Sequence, residues 1–144
     1  MASVKPKIVT ICRKIAFSSG HRYFNPGLSE EENRKLFGDS YTESGFGNNF
    51  ILEAYVDGEI NSKTGMVINL RELDGVLKDV VRPLDHHFLN TDVAYFREVI
   101  PTAENLAIYC FSAIQEYLRD KPIDLRRVRI FEGPDFWVDY PAES

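Results

Sequence analysis

The chain is poor in the residues that build covalent and metal staples. It has 2 cysteines and 3 histidines in 144 residues, which excludes a disulfide framework and leaves little from which to assemble a metal cage. Positive charge is also scarce: 17 Lys and Arg stand against 22 Asp and Glu, for a net charge of −5. That balance excludes the broad basic face of a general nucleic-acid binder. No run of about 18 apolar residues occurs, so no membrane-spanning helix is expected. Residues 1–5 lack the apolar core of a secretory signal. Cys12 falls in a strand-like run and Cys110 in a helix-like run; both are expected as small buried hydrophobes in a reducing cytoplasm. What remains is the composition of an ordinary globular protein, 44% hydrophobic and 27% charged, with one domain over residues 1–144 and enough chain to bury a core unaided.

Hydrophobic spacing gives the order of elements. Residues 7–17 are rich in β-branched and apolar side chains and predict a strand. Residues 22–45 predict a loop holding one short helix over 28–36, begun by Ser29 with Glu30, Glu31 and Glu32 in its first turn. In residues 48–60, Phe50, Leu52, Ala54 and Val56 alternate onto one face of a second strand. Leu70, Leu73, Leu77 and Val80 recur at helical spacing behind Asn69, a cap. Gly75 weakens that helix by about 1 kcal/mol relative to Ala, and its presence there suggests close packing. Residues 82–101 are a connection punctuated by Pro83 and Pro101. Thr102 caps a helix over 103–119, and residues 125–132 and 135–140 predict two strands around a Gly133-Pro134 turn. The order ββααββ argues an α+β fold with two helices on one face of an antiparallel four-stranded sheet.

Several short motifs stand in a fixed order: Phe17 to His21 (FSSGH); Lys35 to Gly38 (KLFG); Gly45, Gly47 and Asn49; Asp57, Gly58 and Glu59 ahead of Thr64, Gly65, Met66 and Val67; Pro83, Leu84, Asp85 and His86; Thr102, Glu104 and Asn105; and Glu132. By these, the chain resembles the 6-pyruvoyl-tetrahydropterin synthase and 6-carboxytetrahydropterin synthase family from about residue 8 to 140. The resemblance implies the T-fold, in which sheets join into an oligomeric barrel, a homo-hexamer built as a dimer of trimers. It also implies a pterin or purine-like ligand at a subunit interface. Glu132 takes the place of the carboxylate that accepts from the pterin ring N–H and amino group, a bidentate and charge-assisted pairing. Thr102, with Glu104 close by at the helix start, matches the pocket.

The same resemblance exposes losses. Family members hold one zinc on three histidines; here only His21 remains, with Phe46 and Asn48 at the other two positions. Phe has no donor atom, and an amide is a poor zinc ligand. No cofactor is therefore expected, zinc included; a rebuilt site from His21 with His86 or His87 and Asp39 or Glu43 is the alternative. Asp85 and His86 match the family's proton-moving Asp–His couple, while Ser40 stands where the pyruvoyl enzymes have a cysteine. Glu43 sits at the spacing where one subgroup places a glutamate, and burial would have to raise its pKa for it to act as a base. Phe46 puts an aromatic ring where the ion would lie. Blander readings stay open: His21 donating to a backbone carbonyl, His87 as a partly buried structural residue, Glu132 in a salt bridge with Arg129, Glu43 as a solvated acid. Arg13, Lys14 and Arg22 supply positive charge near the matched strand end. Three functions remain: a pterin-binding homologue without the zinc chemistry, a metal-free lyase or synthase on a dihydroneopterin-type substrate, and a scaffold without ligand.

Overall fold

Two long strands, β1 (Ile8–His21) and β2 (Phe46–Glu59), carry the fold in the computed structural model, which describes residues 5–142. The expectation for residues 1–4 falls outside them. The strands pair antiparallel without interruption from Ile8↔Glu59 to His21↔Phe46. Phe50, Leu52, Ala54 and Val56 are fully buried, as their alternation predicts. They share one core with Leu73 and Leu77 of α2 (Leu70–Val81) and with Leu106, Cys110 and Ile114 of α5 (Ala103–Leu118). Burying each such side chain contributes roughly 1.5–3 kcal/mol. Asn69 and Thr102 cap the two helices, accepting from Arg71 N at 2.9 Å and Asn105 N at 3.2 Å. On the far side, β4 (Asp124–Gly133) pairs with β2, and β5 (Phe136–Tyr140) pairs with β4.

The fold class is the expected α+β, but the sheet is not four-stranded and antiparallel. A fifth strand, β3 (His87–Phe88), joins the outer side of β1 in parallel, with Ser19 opposite His87 and Gly20 opposite Phe88, giving the order β3-β1-β2-β4-β5. Two residues are too short to show a period, so nothing in the pattern marks them as a strand. The same connection winds two helical turns, α3 (Leu89–Asp92) and α4 (Ala94–Glu98), burying Leu89 and Phe96. Two further expectations fail. Cys12 is exposed on the sheet face opposite the core while Cys110 is buried, because strand alternation puts Cys12 out of phase with Phe17. A Cβ on Gly75 would meet nothing within 4 Å, so close packing does not explain that glycine. No helix among the described residues is long and apolar enough to cross a membrane.

The segment after β1 is tied down rather than loose. α1 (Glu30–Phe37) starts at Ser29 with a reciprocal capping box, Glu32 N to Ser29 Oγ and Ser29 N to Glu32 Oε1, both 3.1 Å. A 3-10 turn follows at Gly38–Tyr41. Asn33, fully buried, shares its amide protons among the carbonyls of Asn25, Leu28 and Ser29 and accepts from Asn25 N at 2.8 Å. Its amide does for this loop what a backbone ladder does for a strand. Asn33→Ala should therefore loosen the segment by about 2–3 kcal/mol, since several buried groups lose their partner at once. Hydrogen exchange of residues 25–37 should accelerate roughly 30- to 150-fold while β1 and β2 stay protected; unchanged exchange would show that other contacts hold the loop.

Candidate functional site

Alternation along three strands delivers three polar side chains to one end of the helix-covered face. Phe17, Ser19 and His21 of β1 are buried in sequence; Asn48 lies two residues before Phe50 on β2; Glu132 lies two residues beyond Ile130 on β4. His21 is completely buried. Its Nδ1 lies 2.7 Å from the Pro101 carbonyl oxygen. A carbonyl can only accept, so Nδ1 carries the proton and Nε2 is left as a lone pair. Asn48 Nδ2 donates to that lone pair at 3.0 Å and also donates to Glu132 Oε1 at 3.2 Å. Only one orientation of the Asn48 amide serves both acceptors. The Tyr23 hydroxyl completes the cluster, donating to the same Glu132 oxygen at 3.1 Å. Burial, followed by the charge of Glu132, pushes the Tyr23 phenol far above its ordinary range, so it remains a donor.

Phe46 packs against this chain of bonds, its ring centroid 4.4 Å from that of His21 and 5.2 Å from that of Tyr23. The zinc implied by the resemblance does not fit these residues. Phe46 brings no donor atom, and the His21 lone pair that would face an ion is taken by an amide N–H. The alternative of a rebuilt site is not assembled either: among the described residues no group of three His, Cys, Asp or Glu side chains could hold a metal ion. His87, expected partly buried, is exposed, with Nδ1 2.8 Å from the Asp85 carbonyl. Glu132 does not pair with Arg129, which instead forks onto Asp139 at 2.6 and 2.9 Å.

Asp85 and His86 form a second cluster at the same strand end. Asp85 Oδ1 accepts from Ser18 N at 2.9 Å and faces His86 Nδ1 at 3.0 Å. The Ser18 N–H, and then His86, hold the Asp85 carboxyl below the usual carboxylate range. His86 has φ of 61°, a left-handed backbone that costs a non-glycine residue about 1–2 kcal/mol; its N–H bond to Ser18 O at 2.6 Å helps hold it there. The imidazole is exposed beside a hollow of about 300 Å³ lined by Ser18, Ser19, Gly20, Gly47, Asn48 and Asn49.

The remaining expected site residues separate. Thr102 Oγ1 is committed to capping α5, and Glu104 is exposed in the first turn of that helix, close enough for its charge to bear on Tyr23. Ser40 sits in the 3-10 turn, where its carbonyl accepts from Tyr23 N at 2.8 Å. Glu43 is exposed and lines a different cavity, beside Arg22 and Phe88, not the hollow beside His86. The solvated-acid reading of Glu43 is the one its exposure favours. Sequence reasoning missed Tyr23 and the Pro101 carbonyl. Tyr23 lies two residues past His21, which period-2 counting could have flagged; a backbone carbonyl leaves no such signal.

Burial pushes the His21 imidazole below its ordinary pKa, outweighing the bond to the Pro101 carbonyl and the charge of Glu132. Protonation would also set an Nε2–H against the Asn48 amide protons. The folded form thus binds fewer protons than the unfolded chain below pH of about 6.5, so stability from this group is complete above that value and declines as pH falls toward the depressed pKa. Nitrogen-detected NMR should show His21 as the neutral Nδ1–H tautomer at pH 6. His21→Gln should lose less melting temperature than wild type between pH 7 and pH 5.

Comparison with known proteins bears on both clusters. A family model described as 6-pyruvoyl tetrahydropterin synthase matches residues 10–143. The chain is 39% identical over 135 residues to human 6-pyruvoyl tetrahydrobiopterin synthase, covering 92% of this chain and 91% of that one. It is 40% identical over 139 residues to the protein of the same name from Poecilia reticulata, covering 95% and 92%. The solved structure of Caenorhabditis elegans 6-pyruvoyl tetrahydropterin synthase superposes with a TM-score of 0.90 at 31% identity, over 98% of this chain and all of that one. Sequence and fold agree: the chain belongs to the 6-pyruvoyl tetrahydropterin synthase family.

Proposed function

We propose that this chain binds a pterin, or a purine-like ring with the same donor edge, on Glu132, and that it has given up the family's zinc-dependent, triphosphate-eliminating reaction. The observation that carries this reading is the Asn48 amide, which bonds His21 Nε2 and Glu132 Oε1 together. Both donors that reach Glu132 fall on Oε1, and Oε2 has no hydrogen bond among the described residues. That second oxygen keeps its lone pairs for a donor on the ring edge, which favours an ionised acceptor. The Phe46 ring, packed on His21 and Tyr23, suits a flat heterocycle. The curated relatives are named for tetrahydrobiopterin synthesis, which supports the ligand class.

The same reading makes the working molecule a homo-oligomer, a dimer of trimers. Edge strand β5 exposes Phe136 and Trp137 at 48% each, and the outer strand β1 exposes Ile8 at 57%. Closing sheets edge to edge would pair the unbonded backbone groups of both strands and cover these side chains. A second reading keeps an enzyme: a metal-free lyase or synthase acting through Asp85 and His86. It is favoured by the left-handed His86, since backbone strain held in place is a feature of reactive sites. Ser40 and Glu43 would have to join that pair from their separate places.

Neopterin, biopterin, sepiapterin and guanine, screened by thermal shift, should yield at least one ligand that raises the melting temperature of wild type by mass action. Glu132→Ala should weaken it by roughly 10- to 100-fold, the value of a hydrogen bond to a charged group. An identical response in Glu132→Ala sinks the pterin reading. Elemental analysis of protein purified without chelator should find zinc far below one per chain, whereas Phe46→His combined with Asn48→His should take up zinc. Turnover of dihydroneopterin triphosphate by chelator-treated wild type, abolished in His86→Ala, would establish the second reading in place of the first.

A further inference from the structure

Arg22 holds a buried donor that the sites described above leave unexplained. Asn90 grips its backbone from both sides, Oδ1 accepting from Arg22 N at 2.8 Å and Nδ2 donating to Arg22 O at 3.0 Å. The guanidinium carbon lies 4.4 Å from the centre of the Phe24 ring and 5.0 Å from that of Tyr41. Yet the side chain makes no hydrogen bond or ion pair among the described residues, and its Nε is buried without a partner. A buried donor left unmade costs about 1–3 kcal/mol, and native structures rarely tolerate one without a reason. The rings hold the cation by its face. They offer nothing to the N–H groups that radiate in its plane.

Arg22 lines a cavity of about 420 Å³, with Phe24 and Phe88 among its apolar lining. That volume lies within the range of small-molecule sites. A second cation, Arg97, also lines it, with its own Nε spent on the Thr91 carbonyl at 3.0 Å. Two acids share the lining, Glu43 and Glu98; both are exposed and neither pairs with Arg22. The planar fork of a guanidinium matches two oxygens of a carboxylate or phosphate. The flanking acids disfavour a polyanion and select for a compact one.

We propose that Arg22 anchors an anion site in this cavity, which takes a small oxyanion, a carboxylate or a phosphate monoester, on the in-plane edge of its guanidinium. The inference stands on Arg22 and the cavity, and needs neither the pterin ligand nor any remaining catalysis.

Calorimetric titration of the full chain with sodium phosphate and with sodium acetate, each against sodium chloride at fixed ionic strength, tests it. At least one of the two oxyanions should bind saturably and raise the melting temperature, and which one does so distinguishes phosphate from carboxylate. Arg22→Lys should weaken that binding by at least about 10-fold, because an ammonium cannot reproduce the fork. Glu43→Gln, a change on an exposed loop that leaves folding intact, should tighten it by roughly 2- to 5-fold through loss of a nearby like charge. No saturable binding of either oxyanion overturns the proposal. So does an affinity that neither variant changes, and if Arg22→Lys does not fold, an unchanged affinity in Glu43→Gln is sufficient.

Discussion

A buried imidazole has one proton to give and one lone pair to fill, and in this protein that constraint organises the whole strand end. Once the Pro101 carbonyl takes the proton of His21 Nδ1, Nε2 must find a donor. Asn48 supplies it, and its second amide proton goes to Glu132. The direction of every bond follows from the first. The connection ahead of α5, the ends of β1 and β2, and the end of β4 are thereby tied by side chains where backbone pairing runs out. The result is a small polar core held by directed hydrogen bonds, with a donor amide between an imidazole lone pair and a carboxylate.

The scaffold makes this economy workable. The continuous β1–β2 ladder, from Ile8↔Glu59 to His21↔Phe46, fixes which residues share a face. A one-residue slip would exchange the buried and exposed sets on both strands. The helix-covered face is apolar through Phe17, Phe50, Leu52 and Ile130 and turns polar toward its end, at Ser19 opposite Asn48, at His21 and at Glu132. The short β3 then brings Asp85 and His86 against Ser18 from the outer side. Two polar clusters thus border one strand end, one buried and neutral at its imidazole, the other exposed with its imidazole against a carboxylate.

Much of this was legible beforehand, and the failures have a common cause. Strand alternation at Phe50 to Val56, helical spacing at Leu70 to Val80 and the caps at Ser29, Asn69 and Thr102 depend on neighbours in the chain, and all were readable. The motifs that carried the family resemblance were also local. β3 was not readable, because two residues have no period. Nor was the burial of Asn33, a polar residue inside a charged helix, because its partners lie in the loop before it. Gly75 and Cys12 were misjudged because a residue type was allowed to stand for an environment. Thr102 was expected at the pocket, and its hydroxyl accepts from the first turn of the helix it starts.

By itself, the order of residues determined the α+β class and the family, and it put Phe46 and Asn48 at the start of the second strand, because each is written in residue identities and short-range spacing. Only the tertiary structure decided what those two side chains touch. That Asn48 bridges His21 and Glu132, that Glu43 and Ser40 stand apart from His86, and that Arg22 Nε meets no acceptor among the described residues are facts about contacts between segments far apart in the chain. Such contacts are fixed by strand register and by the packing of connections with no periodic signal, and neither can be counted along a sequence.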